Sequence, residues 1–304
     1  MAKRKIVIIG SGDVGATTAY TLLLRNRMNE LVLIDINHAK AAGDALDMNH
    51  GMPYTGGCNI WAGGYEDCVD ANIIIITAGA AQKPGETRTD LLKRNTEIFD
   101  GIIKRILPYN NTAIFLIATN PVDIMAYVTL KKSGLPVNRI IGSGTLLDSA
   151  RFRYLLGQEF NIDPRSVHAH IIGEHGDSEL PVWSLANVAG VDIELAEERK
   201  KVIFESTRDA AYEIIEAKGS TYYAIALALD RIVAAILDDE GAVLNVSTLL
   251  TNYNGVSDVY LGVPCVVDRN GVRETLNLTL NEQEQALFEK SANKLKDLIA
   301  ELDL

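Results

Sequence analysis

A glycine-rich turn near the start of the chain constrains its fold more than any other feature. Residues 5–10 (KIVIIG) form a short β-rich run, and a helical pattern over 13–27 follows it directly. The turn between them carries the G-x-G-x-x-G spacing with Gly10, Gly12 and Gly15. In such a turn the first glycine permits the tight bend, the second lets the backbone approach a pyrophosphate, and the third lets helix and strand pack closely. We therefore predict a strand–turn–helix unit that holds a dinucleotide.

Strand-like and helical patterns alternate through the first half of the chain. The strand-like runs lie at 5–10, 30–35, 59–63, 72–79, 112–119 and 139–144, and the helical stretches at 13–27, 39–50, 88–107 and 121–133. Several strand-like runs are almost continuously apolar, which is typical of strands buried on both faces. The alternation predicts an α/β fold with a doubly wound parallel Rossmann sheet.

The pattern changes after residue 144. Helical stretches then lie near 144–159, 196–217, 221–238 and 281–302, and strand-like runs at 166–172, 242–248 and 258–267. Asn281 can cap the last helix, and Glu284 three residues later makes a capping box. We predict two domains, a dinucleotide-binding Rossmann domain over 1–144 and an α+β substrate domain over 145–304.

Charge and cysteine content exclude several classes of partner. The net charge of −11 disfavours nucleic acid and anionic membranes. No apolar run approaches the ~18 residues of a membrane span. The cysteines, Cys58, Cys68 and Cys265, are an odd and widely spaced set that suits neither a disulfide framework nor a metal site. We expect a cytoplasmic protein with no metal.

A carboxylate ends the second strand-like run. Asp35 lies twenty residues after Gly15, where it can accept both adenosine-ribose hydroxyls of NAD and would repel the 2′-phosphate of NADP. An acidic residue here can also belong to an ordinary turn, but strand, glycines, helix and Asp35 are all in register. We therefore predict NAD as the cofactor. Further predicted contacts to NAD are Val14, Lys40, Tyr65, Gly79, Ala80, Ala118, Thr119, Asn120 and Ser143.

An ionisable cluster follows the apolar pair in the stretch IIGEHGDSELP, residues 171–181. Its histidine, His175, can do acid–base chemistry only if the chain supplies an orienting carboxylate and a counter-charge. Asp148 and Arg151 are candidates, because they are three residues apart on a helical stretch and hence share one face. Each residue alone is more often structural than catalytic, so the hypothesis depends on their joint occurrence.

Other candidates stand where strands end. In a doubly wound sheet the carboxyl ends of the strands face the ligand crevice. Gln82 and Arg88 follow the fourth strand-like run in AAQKPGETRTDLL, and Asn120 ends the fifth in ATNPVD. We expect them near the nicotinamide, where the second region must also bring Thr221 from KGSTYYAIA.

These motifs, taken together, resemble the lactate/malate dehydrogenase family, and most closely its bacterial L-lactate-dehydrogenase branch. The resemblance runs nearly end to end, through GSGDVG, AGAAQKPGETR, ATNPVD, GSGTLLDSARFR, GEHGDSE and KGSTYYAIA. The family's usual Leu after the loop arginine is Thr89 here, a departure from which we expect little consequence.

The resemblance implies a chemical role for each polar side chain. His175 gives a proton to the carbonyl oxygen of pyruvate as hydride arrives from NADH, and takes it back when L-lactate is oxidised. Asp148 orients its ring, and Arg151 grips the substrate carboxylate as a bidentate fork. Arg88 polarises the carbonyl, where negative charge develops. The pocket beside them is lined by Gln82, Asn120 and Thr221.

Gln82 distinguishes the two enzyme activities within this family, lactate and malate dehydrogenase. The malate branch carries Arg at this position, where it pairs the second carboxylate of oxaloacetate. A neutral Gln would leave that carboxylate unpaired in a closed site, which costs several kcal/mol. The expected substrate is therefore pyruvate. Malate dehydrogenase and a non-catalytic NAD-binding protein remain the alternatives, and NADH consumption with pyruvate discriminates the latter.

Arg153 and His168 point to regulation. On a helix Arg153 lies about 200° from Arg151, and alternation along a strand places His168 on the face opposite His175. From spacing alone they are unrelated surface cations. The resemblance implies instead that fructose-1,6-bisphosphate neutralises them at a subunit interface, in a homotetrameric enzyme of glycolytic fermentation.

Overall fold

The computed structural model describes residues 3–80, 88–302 and 304. In its first half, strands and helices alternate: β1 (Lys5–Ile9), α1 (Asp13–Leu24), β2 (Glu30–Ile34), α2 (His38–His50), β3 (Asn59–Ala62), β4 (Ile73–Ile76), α3 (Arg88–Ile106), β5 (Ile114–Ile117), α4 (Val122–Ser133) and β6 (Ile140–Gly142). The six strands pair in parallel in the order β3-β2-β1-β4-β5-β6. The predicted doubly wound parallel sheet is confirmed. Apart from Lys5, Glu30 and Asn59 at the first positions of β1, β2 and β3, its strands are apolar, because helices cover both faces.

The second half begins with helix α5 and ends with helix α8. Its elements are α5 (Leu146–Phe160), β7 (Val167–His168), β8 (Ile171–Ile172), β9 (Leu180–Pro181), β10 (Asn187–Val188), β11 (Val191–Asp192), α6 (Glu197–Lys218), α7 (Tyr223–Leu237), β12 (Ala242–Leu249), β13 (Tyr260–Asp268), β14 (Gly271–Thr275) and α8 (Glu282–Ala300). β12, β13 and β14 do not form a separate sheet. They extend the central sheet as antiparallel strands, and Ser247 opposite Gly142 joins β12 to β6.

The predicted single strand over 166–172 is wrong. It is two short strands in different sheets, β7 beside β10 and β8 beside β9. The interruption has a physical cause at Ile171, whose backbone bonds to side chains. Its N–H donates to the Ser149 hydroxyl at 3.0 Å, and its carbonyl accepts from Thr145 at 2.7 Å and Asn245 at 3.0 Å. These contacts from α5 and β12 replace a continuous ladder.

Helix α8 packs against β9. Its predicted capping box is confirmed, since the Asn281 side chain accepts from the Glu284 N–H at 2.9 Å and Glu284 accepts from the Asn281 N–H at 3.0 Å. At the other end, the Thr89 hydroxyl donates to Glu301 at 3.0 Å, so this departure from the family pattern has a local contact. The buried apolar residues of α8 include Phe288, Ala292 and Leu295. Within the described residues, none of the helices is both long and apolar enough to cross a bilayer.

Candidate active site

The glycine turn is tightly packed at two positions and open at the third. Gly10 has a φ of +104°, and a Cβ there would lie 2.6 Å from the Ala78 nitrogen. A Cβ on Gly15 would lie 1.8 Å from the Gly10 oxygen. Around Gly12, no atom of the described residues comes within 4 Å of the Cβ position. Gly12 thus leaves room at the N-terminus of α1, where the helix dipole favours an anion such as a pyrophosphate.

A cavity of about 490 Å³ opens beside this turn. The predicted cofactor residues that line it are Gly10, Gly12, Asp35, Tyr65 and Gly79. The Asp35 carboxylate accepts the N–H groups of Ser11 at 2.6 Å and Asn37 at 2.8 Å, which ties the glycine turn to the end of β2. Sequence reasoning missed the apolar wall formed by Ile36 and Ile98. An adenine ring can pack there, because Ile36 is fully exposed.

Several other predicted cofactor residues do not line this cavity. Lys40 donates to the Ser11 carbonyl, and the Thr119 hydroxyl donates to the Ala78 carbonyl at 2.8 Å. The Ala80 N–H donates to Asn95 at 2.8 Å, a buried side chain that sequence reasoning missed. The remaining three are half-buried Val14 and Ala118 and buried Ser143. All of these contacts to NAD stay predictions.

The structure brings His175, Asp148 and Arg151 into direct contact. His175 Nδ1 lies 2.5 Å from Asp148 Oδ2, and Arg151 donates to Asp148 Oδ1 at 2.9 Å. Asp148 is only 2% exposed. The expectation that Asp148 and Arg151 share a helix face is confirmed. One carboxylate thus orients both the candidate acid–base group and the candidate substrate-binding cation.

This contact sets the protonation states of the pair. Burial alone lowers the pKa of His175, but the charge and hydrogen bond of Asp148 outweigh burial and raise that pKa to about 9. Burial likewise acts to raise the pKa of Asp148, yet His175 and Arg151 hold it below its usual value. Asp148 is therefore ionised near neutral pH, so Nδ1 of His175 carries a proton. Nε2 is then the ring nitrogen that can exchange a proton with a substrate.

His175 lies in the loop that follows β8. β8 stops at Ile172, Gly173 bridges to Gly262 with a φ of +93°, and His175 follows in a turn. Its backbone N–H donates to Asp123 Oδ2 at 2.8 Å, while Asp123 Oδ1 accepts from Ser247 at 2.6 Å. Sequence reasoning missed Asp123, although it lies in the quoted ATNPVD motif. Its position shows that α4 and β12 together aim the histidine loop.

Asn120 and His175 line one larger cavity of about 970 Å³, together with residues of α8. Thr221 is half-buried just before α7, and the neighbouring Ser220 donates to Asp13 at the start of α1 at 2.5 Å. Arg88 is the first residue of α3. Gln82 and the Arg88 side chain lie outside the described residues, so their roles stay predictions.

Neither Arg153 nor His168 lines the cavity that His175 lines. Arg153 donates to the Arg165 carbonyl at 3.3 Å, and His168 is exposed on β7. The alternation argument for His168 fails because the strand is interrupted. A third basic residue, His170, was missed: burial lowers its pKa most, and Arg153 and His168 lower it further. The three groups therefore form one basic cluster.

A Rossmann sheet with an open glycine turn, combined with a buried histidine–aspartate pair, is typical of a nicotinamide-dependent dehydrogenase. Two family models cover nearly the whole chain. Residues 4–142 match the lactate/malate dehydrogenase NAD binding domain, and residues 145–303 match the lactate/malate dehydrogenase alpha/beta C-terminal domain. The chain belongs to the lactate/malate dehydrogenase family. The prediction of NAD as cofactor is confirmed.

Relatives and solved structures agree with this assignment. An L-lactate dehydrogenase of Acetivibrio thermocellus is 53% identical, over 99% of this chain and 98% of the relative. One from Thermoanaerobacter sp. is 55% identical over 99% of both chains. The ligand-bound crystal structure of the minor L-lactate dehydrogenase from Enterococcus mundtii has a TM-score of 0.98 and 45% identity, covering 100% of both chains. The resemblance inferred from the motifs is confirmed.

Proposed function

We propose that this protein is an NAD-dependent L-lactate dehydrogenase that reduces pyruvate reversibly, with His175 as the proton donor and acceptor. The observation that carries the role of His175 is the 2.5 Å contact between His175 and buried Asp148 at the wall of the larger cavity. The full-length relatives named L-lactate dehydrogenase support the reaction. They give the malate dehydrogenase alternative no better support.

Each side chain has a distinct task in the proposed reaction. Bound NADH supplies the hydride. Protonated His175 donates its Nε2 proton to the substrate carbonyl oxygen, and Asp148 stabilises the charged ring until then. Arg151 binds the substrate carboxylate through the donors that Asp148 does not use. Arg88 stabilises the negative charge that develops on the carbonyl oxygen. Asn120 and Thr221 complete the pocket.

The residues around the smaller cavity fit a dinucleotide. Gly12 leaves space beside the N-terminus of α1, and Asp35 stands at the end of β2, twenty residues beyond Gly15. We place the pyrophosphate at the glycine turn and the adenosine ribose at Asp35. The domain boundary proposed at 144/145 leaves the residues of this smaller cavity in the first domain, and Asp148, Arg151 and His175 in the second.

Kinetics with pyruvate and oxaloacetate side by side test the substrate. We expect a preference for pyruvate, and Gln82→Arg should reverse it by about a thousandfold in kcat/KM, because the new cation pairs the second carboxylate. Gln82→Asn, which adds no charge, is the matched control. If Gln82→Arg keeps the original preference, Gln82 does not contact substrate.

We further propose a cytoplasmic homotetramer that acts in glycolytic fermentation and is activated by fructose-1,6-bisphosphate. The three cysteines are all free, which suits a reducing compartment. The basic cluster of Arg153, His168 and His170 is suited to a phosphorylated sugar. Between like subunits, such clusters would repel one another until an anion neutralises them.

A further inference from the structure

Glu179 is a buried acid that the proposed reaction does not use. It is 6% exposed, and its Oε1 atom has no hydrogen-bond partner among the described residues. Its nearest side-chain oxygen and the facing atoms of Asp148 and His175 all lie within 4.8 Å of one another. An unpaired carboxylate in such a place is costly, whereas a neutral carboxylic acid is much less so.

Charged groups face Glu179 from three elements. Asp148 and Arg151 lie on α5, Arg208 on α6 and His175 on the same loop as Glu179. Burial raises the pKa of Glu179 most, and the nearby charge of Asp148 raises it further. Arg151, Arg208 and His175 lower the pKa of Glu179, but by less than burial and Asp148 raise it. The Arg208 side chain also donates a hydrogen bond to Asp209 at 2.8 Å.

We propose that Glu179 is a positioning residue that keeps its proton beside the Asp148–His175 pair, so that the pocket retains a positive charge for an anionic 2-oxo acid. This inference rests on the proposed function. With Glu179 neutral and His175 protonated, the cluster of Asp148, Arg151 and His175 carries one net positive charge, which the substrate carboxylate balances. Ionised Glu179 would cancel that charge before substrate arrives, and binding would leave the site negative.

The proposal predicts how pyruvate affinity is lost at alkaline pH. Only the state with protons on both His175 and Glu179 binds substrate well, and either proton can leave first. Removing the Glu179 carboxyl should therefore move the loss of pyruvate affinity to higher pH. It should also reduce the slope of log KM against pH from about two to about one. If ionised Glu179 instead supports the protonated ring electrostatically, its removal should shift the loss to lower pH.

The test is the pH dependence of pyruvate KM in Glu179→Gln, with Glu289→Gln as the matched control. Glu289→Gln makes the same carboxyl-to-amide change, but at an exposed residue of the cavity that His175 lines. We expect near-wild-type KM at neutral pH in both variants, and the alkaline shift only in Glu179→Gln. Glu179→Met, also neutral, should reproduce the shift if Glu179→Gln folds poorly. An unchanged or downward-shifted profile overturns the proposal.

An infrared measurement tests the same proton without turnover. Well above pH 6, Asp123 is mostly ionised, because its pKa is raised by burial only to about 6. A protonated-carboxyl band should persist there in the wild type and disappear in Glu179→Gln. Absence of that band in the wild type overturns the proposal. Failure of the wild type to reduce pyruvate contradicts the proposed function instead.

Discussion

The contact between His175 and Asp148 links stability, substrate binding and pH. Because the folded-state pKa of His175 is raised to about 9 from its ordinary 6.5, the contact stabilises the fold fully below pH 6.5. That contribution is lost as pH rises through about 9. In the proposed mechanism pyruvate binding requires the same proton, so affinity and stability should weaken together on the alkaline side.

Asp148→Asn should move that alkaline limit toward neutral pH. Burial continues to lower the pKa of His175, while the charge that raises it is gone. Pyruvate KM should therefore rise at pH values where the wild type is still saturated, and steady-state kinetics across pH measure this. A wild-type KM profile in Asp148→Asn would contradict the assigned role.

His175→Ala should lower kcat by about 10²- to 10⁴-fold, since the proton donor is removed. NADH should still bind, because the glycine turn and Asp35 lie in the other cavity. Fluorescence titration with NADH measures the binding, and single-turnover kinetics measure the chemical step. Undiminished turnover would remove His175 from the mechanism.

At the scale of elements, the cap of α8 connects the helix to the rest of the fold. Glu284 is 5% exposed and accepts from the Ser184 N–H at 2.9 Å and from its hydroxyl at 2.6 Å, besides its bond to Asn281. The capping box thus holds α8 beside the segment after β9. The same helix reaches the histidine loop, since Lys294 donates to Glu174 at 2.7 Å.

Asn281→Ala should therefore destabilise the protein by about 1 kcal/mol, the usual cost of a lost N-cap. Urea unfolding followed by far-UV circular dichroism measures the loss. Glu289→Ala, on the exposed face of the same helix, is the control and should change stability by less than about 0.5 kcal/mol. Equal effects from both substitutions would show that the cap contributes little.

For the whole molecule, the basic cluster of Arg153, His168 and His170 leads to a prediction about subunit assembly. Fructose-1,6-bisphosphate should lower pyruvate KM and shift the sedimentation profile toward the tetramer, most clearly at low protein concentration. Arg153→Gln should abolish both responses, while activity at saturating pyruvate is retained. If the wild type is indifferent to millimolar sugar bisphosphate in both measurements, Arg153 and His168 are ordinary surface groups.

The amino-acid sequence was sufficient to predict the order of strands and helices in the first half, the glycine turn and the cap of α8. These features follow from short-range rules of apolar periodicity, turn geometry and capping, which act over a few residues. The pairing of Asp148 with Arg151 was also predictable, because both lie on one helix. The contact of that pair with His175 was expected from the resemblance alone.

The contacts between side chains that are distant in the sequence could be identified only from the tertiary structure. Asn245 donates to the Ile171 carbonyl at the break between β7 and β8, and Ser247 joins β12 to the parallel sheet while donating to Asp123. The tertiary structure likewise buries Glu179 beside Asp148. Such contacts join residues far apart in the chain, and their energies depend on burial and on neighbouring charges. The amino-acid sequence alone gives neither the burial of a residue nor the charges that surround it.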